Sequence, residues 1–167
     1  MHRRLALLVL ALSLPAAPAS ASSGLWATVN VCDTPAHPDA MGIRVAMPGN
    51  GERERMYARF RAQFLDQSDR FWASVSGTGR SPWVYVGSAR YRSRQGGWTF
   101  HFDPPQGQEY LVRAVVDFEW RRRTRRKKGH RRRWVVTMRR RRATRGGIRG
   151  VDGGDPPWTS IGTCTIR

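Results

Sequence analysis

Tyr110-Leu-Val-Arg-Ala-Val-Val-Asp-Phe-Glu-Trp120 is the stretch on which the fold turns. Tyr110, Val112, Ala114, Val116, Phe118 and Trp120 fall on one side of an extended chain, and Leu111, Arg113, Val115, Asp117 and Glu119 fall on the other. That period of two belongs to a strand and not to a helix, whose faces repeat every 3.6 residues. Met56 to Phe64 carries the same signature, with Met56, Ala58, Phe60, Ala62 and Phe64 opposite Tyr57, Arg59, Arg61 and Gln63. Apolar-in, polar-out alternation is what a half-buried strand of an antiparallel sheet needs.

Working outward, strands are expected at Leu25 to Cys32, Met41 to Met47, Arg70 to Val75, Trp83 to Arg90, Trp98 to Phe102, Trp134 to Met138 and Thr159 to Ile166. In the first, Trp26, Thr28, Asn30 and Cys32 alternate with Leu25, Ala27, Val29 and Val31. Turn-forming residues separate the runs: Thr34-Pro35, His37-Pro38, Pro48-Gly49-Asn50-Gly51, Gly77-Thr78-Gly79, Ser81-Pro82, Gly96-Gly97 and Pro104-Pro105. Eight or nine short strands without a helical period predict an all-β fold, an antiparallel β-sandwich.

From Trp98 through Pro104-Pro105 to Tyr110-Leu-Val-Arg-Ala-Val-Val the chain resembles the late strands of immunoglobulin-like domains. In those domains a strand ends in a Pro/Gly corner, and the next begins with a tyrosine whose hydroxyl bonds back to the corner backbone. The resemblance gives Tyr110 that role and places Val112 where antibody domains carry a cysteine. It extends over Leu25 to Arg167 and implies an immunoglobulin-like sandwich outside the antibody type. It implies nothing about activity, because such sandwiches host many functions.

The chain opens as secretory leaders do. Arg3 and Arg4 supply positive charge, Leu5 to Leu14 an apolar run, and Ala19-Ser20-Ala21 a small-residue cleavage site. Pro15 and Pro18 stop the run well short of the roughly 20 apolar residues that span a bilayer. Residues 1–21 are therefore expected to be a signal peptide, and 22–167 one exported β-sandwich domain without a transmembrane segment. Cys32 and Cys164 are the only cysteines. In an oxidising compartment an even pair near the two mature ends predicts a disulfide joining the first and last strands.

The net charge of +18 is concentrated in one place. Between Arg121 and Arg149 lie 16 Lys and Arg and no Asp or Glu, whereas the rest of the mature chain holds 12 basic and 12 acidic residues. Arg121, Arg122, Arg123, Arg125, Arg126, Lys127, Lys128, Arg131, Arg132 and Arg133 read as a long basic hairpin between late strands, turning at Lys128-Gly129-His130. Arg139, Arg140, Arg141 and Arg142 follow the next strand, so both clusters are expected at one end of the domain. These fourteen are the expected polyanion-binding residues. Phosphate neutralisation by such a set releases counterions and makes binding salt-dependent. No reading helix, RNA-binding motif or zinc site accompanies the charge, which argues against sequence-specific nucleic-acid binding. Arg outnumbers Lys 28 to 2, a bias that a GC-rich genome also produces in tolerant loops.

Other chemistry-bearing residues read as ordinary surface. His37 lies between Asp33 and Asp39 in a Pro-rich turn, where metal ligation competes with a polar loop. His101 and Asp103 share a strand face, and a surface hydrogen bond is the expected outcome. Ser76-Gly-Thr-Gly-Arg80 lacks the spacing and lysine of a phosphate loop, and Asp152-Gly-Gly-Asp155 lacks the acidic positions of a calcium loop. Trp26, Trp98, Trp120 and Trp134 are assigned to the core, Trp83 and Trp158 to the surface. No catalytic residue, cofactor or metal is assigned. The sequence thus points to a secreted, non-enzymatic domain that adheres to an anionic cell-surface polymer or other extracellular polyanion. The alternative is a protein-interaction module using a sheet face or edge, with the arginines incidental.

Overall fold

A computed structural model describes residues 24–124 and 132–167; the expected leader and the expected hairpin turn at Lys128-Gly129-His130 lie outside them. The chain is all-β. Its strands are β1 (Trp26–Thr34), β2 (His37–Pro48), β3 (Glu54–Asp66), β4 (Phe71–Ser74), β5 (Val84–Ser88), β6 (Ser93–His101), β7 (Tyr110–Arg123), β8 (Trp134–Ala143) and β9 (Cys164–Ile166). Each expected strand has a counterpart, with different bounds: β2 takes in His37-Pro38 and β6 takes in Gly96-Gly97, both expected as turns, and Ile161, expected inside the last strand, instead makes a lone bridge to Val29. Arg139 to Arg142, expected to follow the strand from Trp134 and to join Arg121 to Arg123 at one end of the domain, are part of β8 and stand opposite Val116 to Glu119 along β7.

Two antiparallel sheets result. One has the order β1-β2-β6; the other runs β4-β3-β7-β8, with β5 also pairing β3 and β9 also pairing β7. β3 and β7 form the spine, in register from Glu54 opposite Arg122 to Phe64 opposite Val112. Their inward residues Met56, Ala58, Phe60, Ala62, Val112, Ala114, Val116, Phe118 and Trp120 pack against Ala27, Val29, Met41, Ile43, Val45 and Phe100 of the facing sheet. Two aligned apolar faces buried against each other are the source of the sandwich's stability.

β1 departs from simple alternation and is buried on both faces from Trp26 to Asn30. The chain after β8 crosses to this strand: Arg145 N–H donates to the Ala27 carbonyl, and Val29 and Ile161 exchange backbone hydrogen bonds of 2.9 and 3.0 Å. Ile148 and Val151 then cover Trp26 and Ala46. The buried Thr28 hydroxyl meets Ser160 Oγ at 2.8 Å, and Asn30 Nδ2 donates to the Gly153 carbonyl at 2.6 Å.

A β-bulge between Val29 and Val31 also changes the phase of β1. Alternation alone puts Cys32 on the same side as Trp26. The extra residue turns it instead toward the interior, opposite Met41, because a bulge lets two residues face one on the partner strand. Cys32 there bridges to Cys164 of β9 with a Cα–Cα distance of 5.5 Å, joining one sheet to the other.

Candidate functional site

The outward residues of β3, β5, β7 and β8 make one continuous surface. Arg59 faces Asp117 across the β3–β7 ladder, and Tyr57 faces Glu119 on one side and Tyr85 on the other. On the far edge Arg139 and Arg141 stand opposite Glu119 and Asp117. Cross-strand neighbours at this spacing interact directly. Asp117 receives Arg141 Nε at 2.6 Å, with Arg61 and Arg59 Nη2 at 3.4 and 3.6 Å. Glu119, 6% exposed, receives Arg121 Nη2 at 2.7 Å and Arg139 Nε at 2.9 Å.

Around these two carboxylates the aromatic rings hold a second set of guanidinium contacts. Arg59 and Arg121 lie over the Trp83 ring at 4.5 and 4.6 Å, and Arg121 also lies 4.4 Å from the Tyr57 ring. Tyr57 and Tyr85 tilt against each other at 5.5 Å. Arg55 spans Tyr85 and Trp134 at 5.7 and 4.7 Å, and Arg123 closes the series 5.5 Å from Trp134. Each such contact contributes about 0.5–1 kcal/mol at an exposed site, so the series holds the guanidiniums in place more than it stabilises the fold. Arg113 lies apart, 4.1 Å over Trp72 and bonded to Gln63 Oε1 at 3.0 Å; burial holds its guanidinium below the ordinary arginine pKa.

The expected polyanion-binding residues therefore divide. Arg121, Arg139 and Arg141 are tied to Glu119 and Asp117. Arg122, Arg123, Arg132, Arg133, Arg140 and Arg142 are exposed, with no carboxylate partner among the described residues. Arg125, Arg126, Lys127, Lys128 and Arg131 lie outside the described residues. Sequence reasoning missed Arg55, Arg59 and Arg61 as members of this surface. The period of two in β3 put Arg59 and Arg61 outward, but only the pairing of β3 with β7 brings them beside the basic segment.

Three other expectations change. Trp134, assigned to the core, is 38% exposed under Arg55 and Arg123, because β8 is an edge strand and this ring lies on the outer face. Trp83, assigned to the surface, is half-buried by Arg59 and Arg121, whereas Trp158 is 80% exposed. The Tyr110 hydroxyl bonds to the side-chain oxygen of Gln108 and not to the corner backbone; its ring packs edge-on against Phe64 at the start of β7.

The remaining polar groups do not converge on one centre. Asp33 Oδ1 accepts the Asp39 amide at 2.9 Å, while His37 turns toward Asp155 at 4.0 Å. Among the described residues no group of three or more His, Cys, Asp or Glu gathers as metal ligands do. His101 and Asp103 stand at the mouth of an apolar cavity of about 510 Å³, walled by Phe64, Val75, Phe102, Tyr110, Val112 and Ile166. Asp152 and Gly153 serve through their carbonyls, which hold Arg44 and Asn30. No helix among the described residues is long and apolar enough to cross a membrane. Comparison with known proteins returns no matching family model, no matching curated protein and no matching solved structure.

Proposed function

We propose that the protein is an exported, non-enzymatic immunoglobulin-like domain that holds an extracellular polyanion along the basic β8 edge of its larger sheet. The observation that carries this reading is the group of six exposed arginines without carboxylate partners among the described residues, two at the end of β7, two just before β8 and two within it. They adjoin five further cations in sequence, Arg125, Arg126, Lys127, Lys128 and Arg131. Asp117 and Glu119 neutralise only part of the five arginines around them, so the adjoining face remains cationic.

The immunoglobulin-like assignment is supported by strand order. β1-β2-β6 facing β4-β3-β7-β8 corresponds to the A-B-E and C′-C-F-G arrangement of such domains. Export is supported by the leader-like first 21 residues and by a disulfide of the kind that persists in oxidising compartments.

Retention on immobilised heparin tests the function. Replacing Arg125, Arg126, Lys127, Lys128, Arg131, Arg132 and Arg133 with glutamine is expected to move elution to much lower salt and to flatten the dependence of log affinity on log salt. Unchanged elution would overturn the reading. Deleting the whole of Arg121 to Arg133 would be a poor substitute, because Arg121 to Arg123 belong to β7.

A further inference from the structure

We propose that the open edge of β8 is a strand-addition site for an extended acidic polypeptide segment, closed in the free protein by Arg140 and Arg142. β8 pairs with β7 along one side, and among the described residues no strand occupies the other. Just beyond its end, Thr144 N–H donates to the Ala114 carbonyl at 2.8 Å. Backbone groups alternate in direction along an antiparallel strand. Arg142 and Arg140 consequently direct theirs at β7, and Arg141 and Arg139 direct theirs outward.

Those outward carbonyls are covered by the chain's own side chains. Arg140 Nη1 donates to the Arg139 carbonyl at 2.8 Å, and Arg142 Nη1 donates to the Arg141 carbonyl at 2.9 Å. Covering and charging an edge is a recognised defence against strand pairing. This cover is reversible, because a guanidinium binds a carboxylate more strongly than a neutral carbonyl.

The charge pattern selects the occupant. On the outer face Arg139 and Arg141 are already matched by Glu119 and Asp117. On the opposite face Arg140 and Arg142 have no carboxylate partner among the described residues. An incoming strand thus meets two unmatched guanidiniums two residues apart, all on one side. A segment with Asp or Glu at every second position satisfies both and draws them off the carbonyls. Its backbone then pairs with the released edge, as in other cases of β-augmentation. A polysaccharide can take the guanidiniums but has no peptide ladder to offer.

The test uses the full mature chain and a synthetic peptide of about eight residues alternating glutamate and threonine. The peptide is expected to bind and to slow hydrogen exchange at the Arg139 and Arg141 amides, while its glutamine counterpart does not bind. In the variant Arg140→Ser with Arg142→Ser, the preference is expected to reverse, with the glutamine peptide binding and the glutamate peptide losing its advantage. Unchanged exchange of β7 amides in that variant verifies its fold. Binding of the glutamate peptide without slowed exchange at those two amides would overturn the proposal, as would equal slowing by a heparin oligosaccharide. The activity is separable from polyanion retention: glutamine substitution of residues 125–128 and 131–133 is expected to weaken heparin retention and leave peptide binding intact.

Discussion

Glu119 is the residue on which the arginine surface is pinned. Its carboxylate is almost fully covered and holds Arg121 and Arg139, while Arg121 is in turn pressed between Tyr57 and Trp83. Removing one partner from a covered pair leaves the other desolvated, which costs more than the pair contributed. Glu119→Ala is expected to lower stability by about 2–3 kcal/mol in urea denaturation. Glu109→Ala is the contrast. Its pair with Arg167 is solvated on both sides, at 63% and 72% exposure, and exposed pairs contribute about 0–1 kcal/mol. Equal losses for the two substitutions would show that burial does not govern these ion pairs. Individual residues of this surface were readable as types but not as partners. Arg59, Arg121 and Trp83 are widely separated in sequence, so nothing local says that the two guanidiniums share one ring.

At the scale of elements, strand identity was legible and strand phase was not. β3 and β7 keep their alternation because each packs one face on the core and turns the other outward, with Glu119 alone covered on that outer face by its arginines. β1 does not, since its bulge and the covering chain after β8 bury both of its faces. The Pro48-Gly49-Asn50-Gly51 turn was recognised from composition, but the reason for Gly49 lies in contact. A β-carbon there would come within 1.9 Å of the Tyr91 carbonyl oxygen and 2.3 Å of the Ala89 carbonyl oxygen. Backbone atoms cannot give way as a side chain can. Gly49→Ala is therefore expected to destabilise by more than about 2 kcal/mol, well above an ordinary surface substitution. Gly51→Ala, with φ of +79° and open space around it, should cost only about 1 kcal/mol from its backbone conformation. Thermal unfolding of the two variants, side by side, distinguishes crowding from conformational strain.

At the scale of the whole molecule, the bond between Cys32 and Cys164 closes a loop of 132 residues and ties the smaller sheet to the larger. In the chain-entropy account a loop this long contributes about 4–5 kcal/mol by restricting the unfolded chain. Cys32→Ser combined with Cys164→Ser is expected to lose most of that, measured by chemical denaturation under oxidising conditions. A change below about 1 kcal/mol would mean that the crossing segment after β8 already holds β1 in place. That segment ties Arg145, Gly153, Ser160 and Ile161 to β1 by hydrogen bonds, so the disulfide is not the sole tether. The same wrapping leaves β8 as the outer edge of the larger sheet, which is why Arg139 to Arg142 meet solvent along a strand.

The sequence by itself determined the all-β class, the approximate place of each strand, most of the turns and the pairing of the two cysteines, although His37-Pro38 and Gly96-Gly97, expected as turns, lie inside β2 and β6. Side-chain alternation and turn chemistry are local properties, and two cysteines leave one intramolecular choice. Tertiary structure decided which arginines are spent on Asp117 and Glu119, which rings they cover, how Cys32 turns inward, and that Arg140 and Arg142 close an edge. Those outcomes depend on register between strands far apart in the chain. A shift of one residue would send every side chain to the opposite face, and only the packing of both sheets on one core selects among the alternatives.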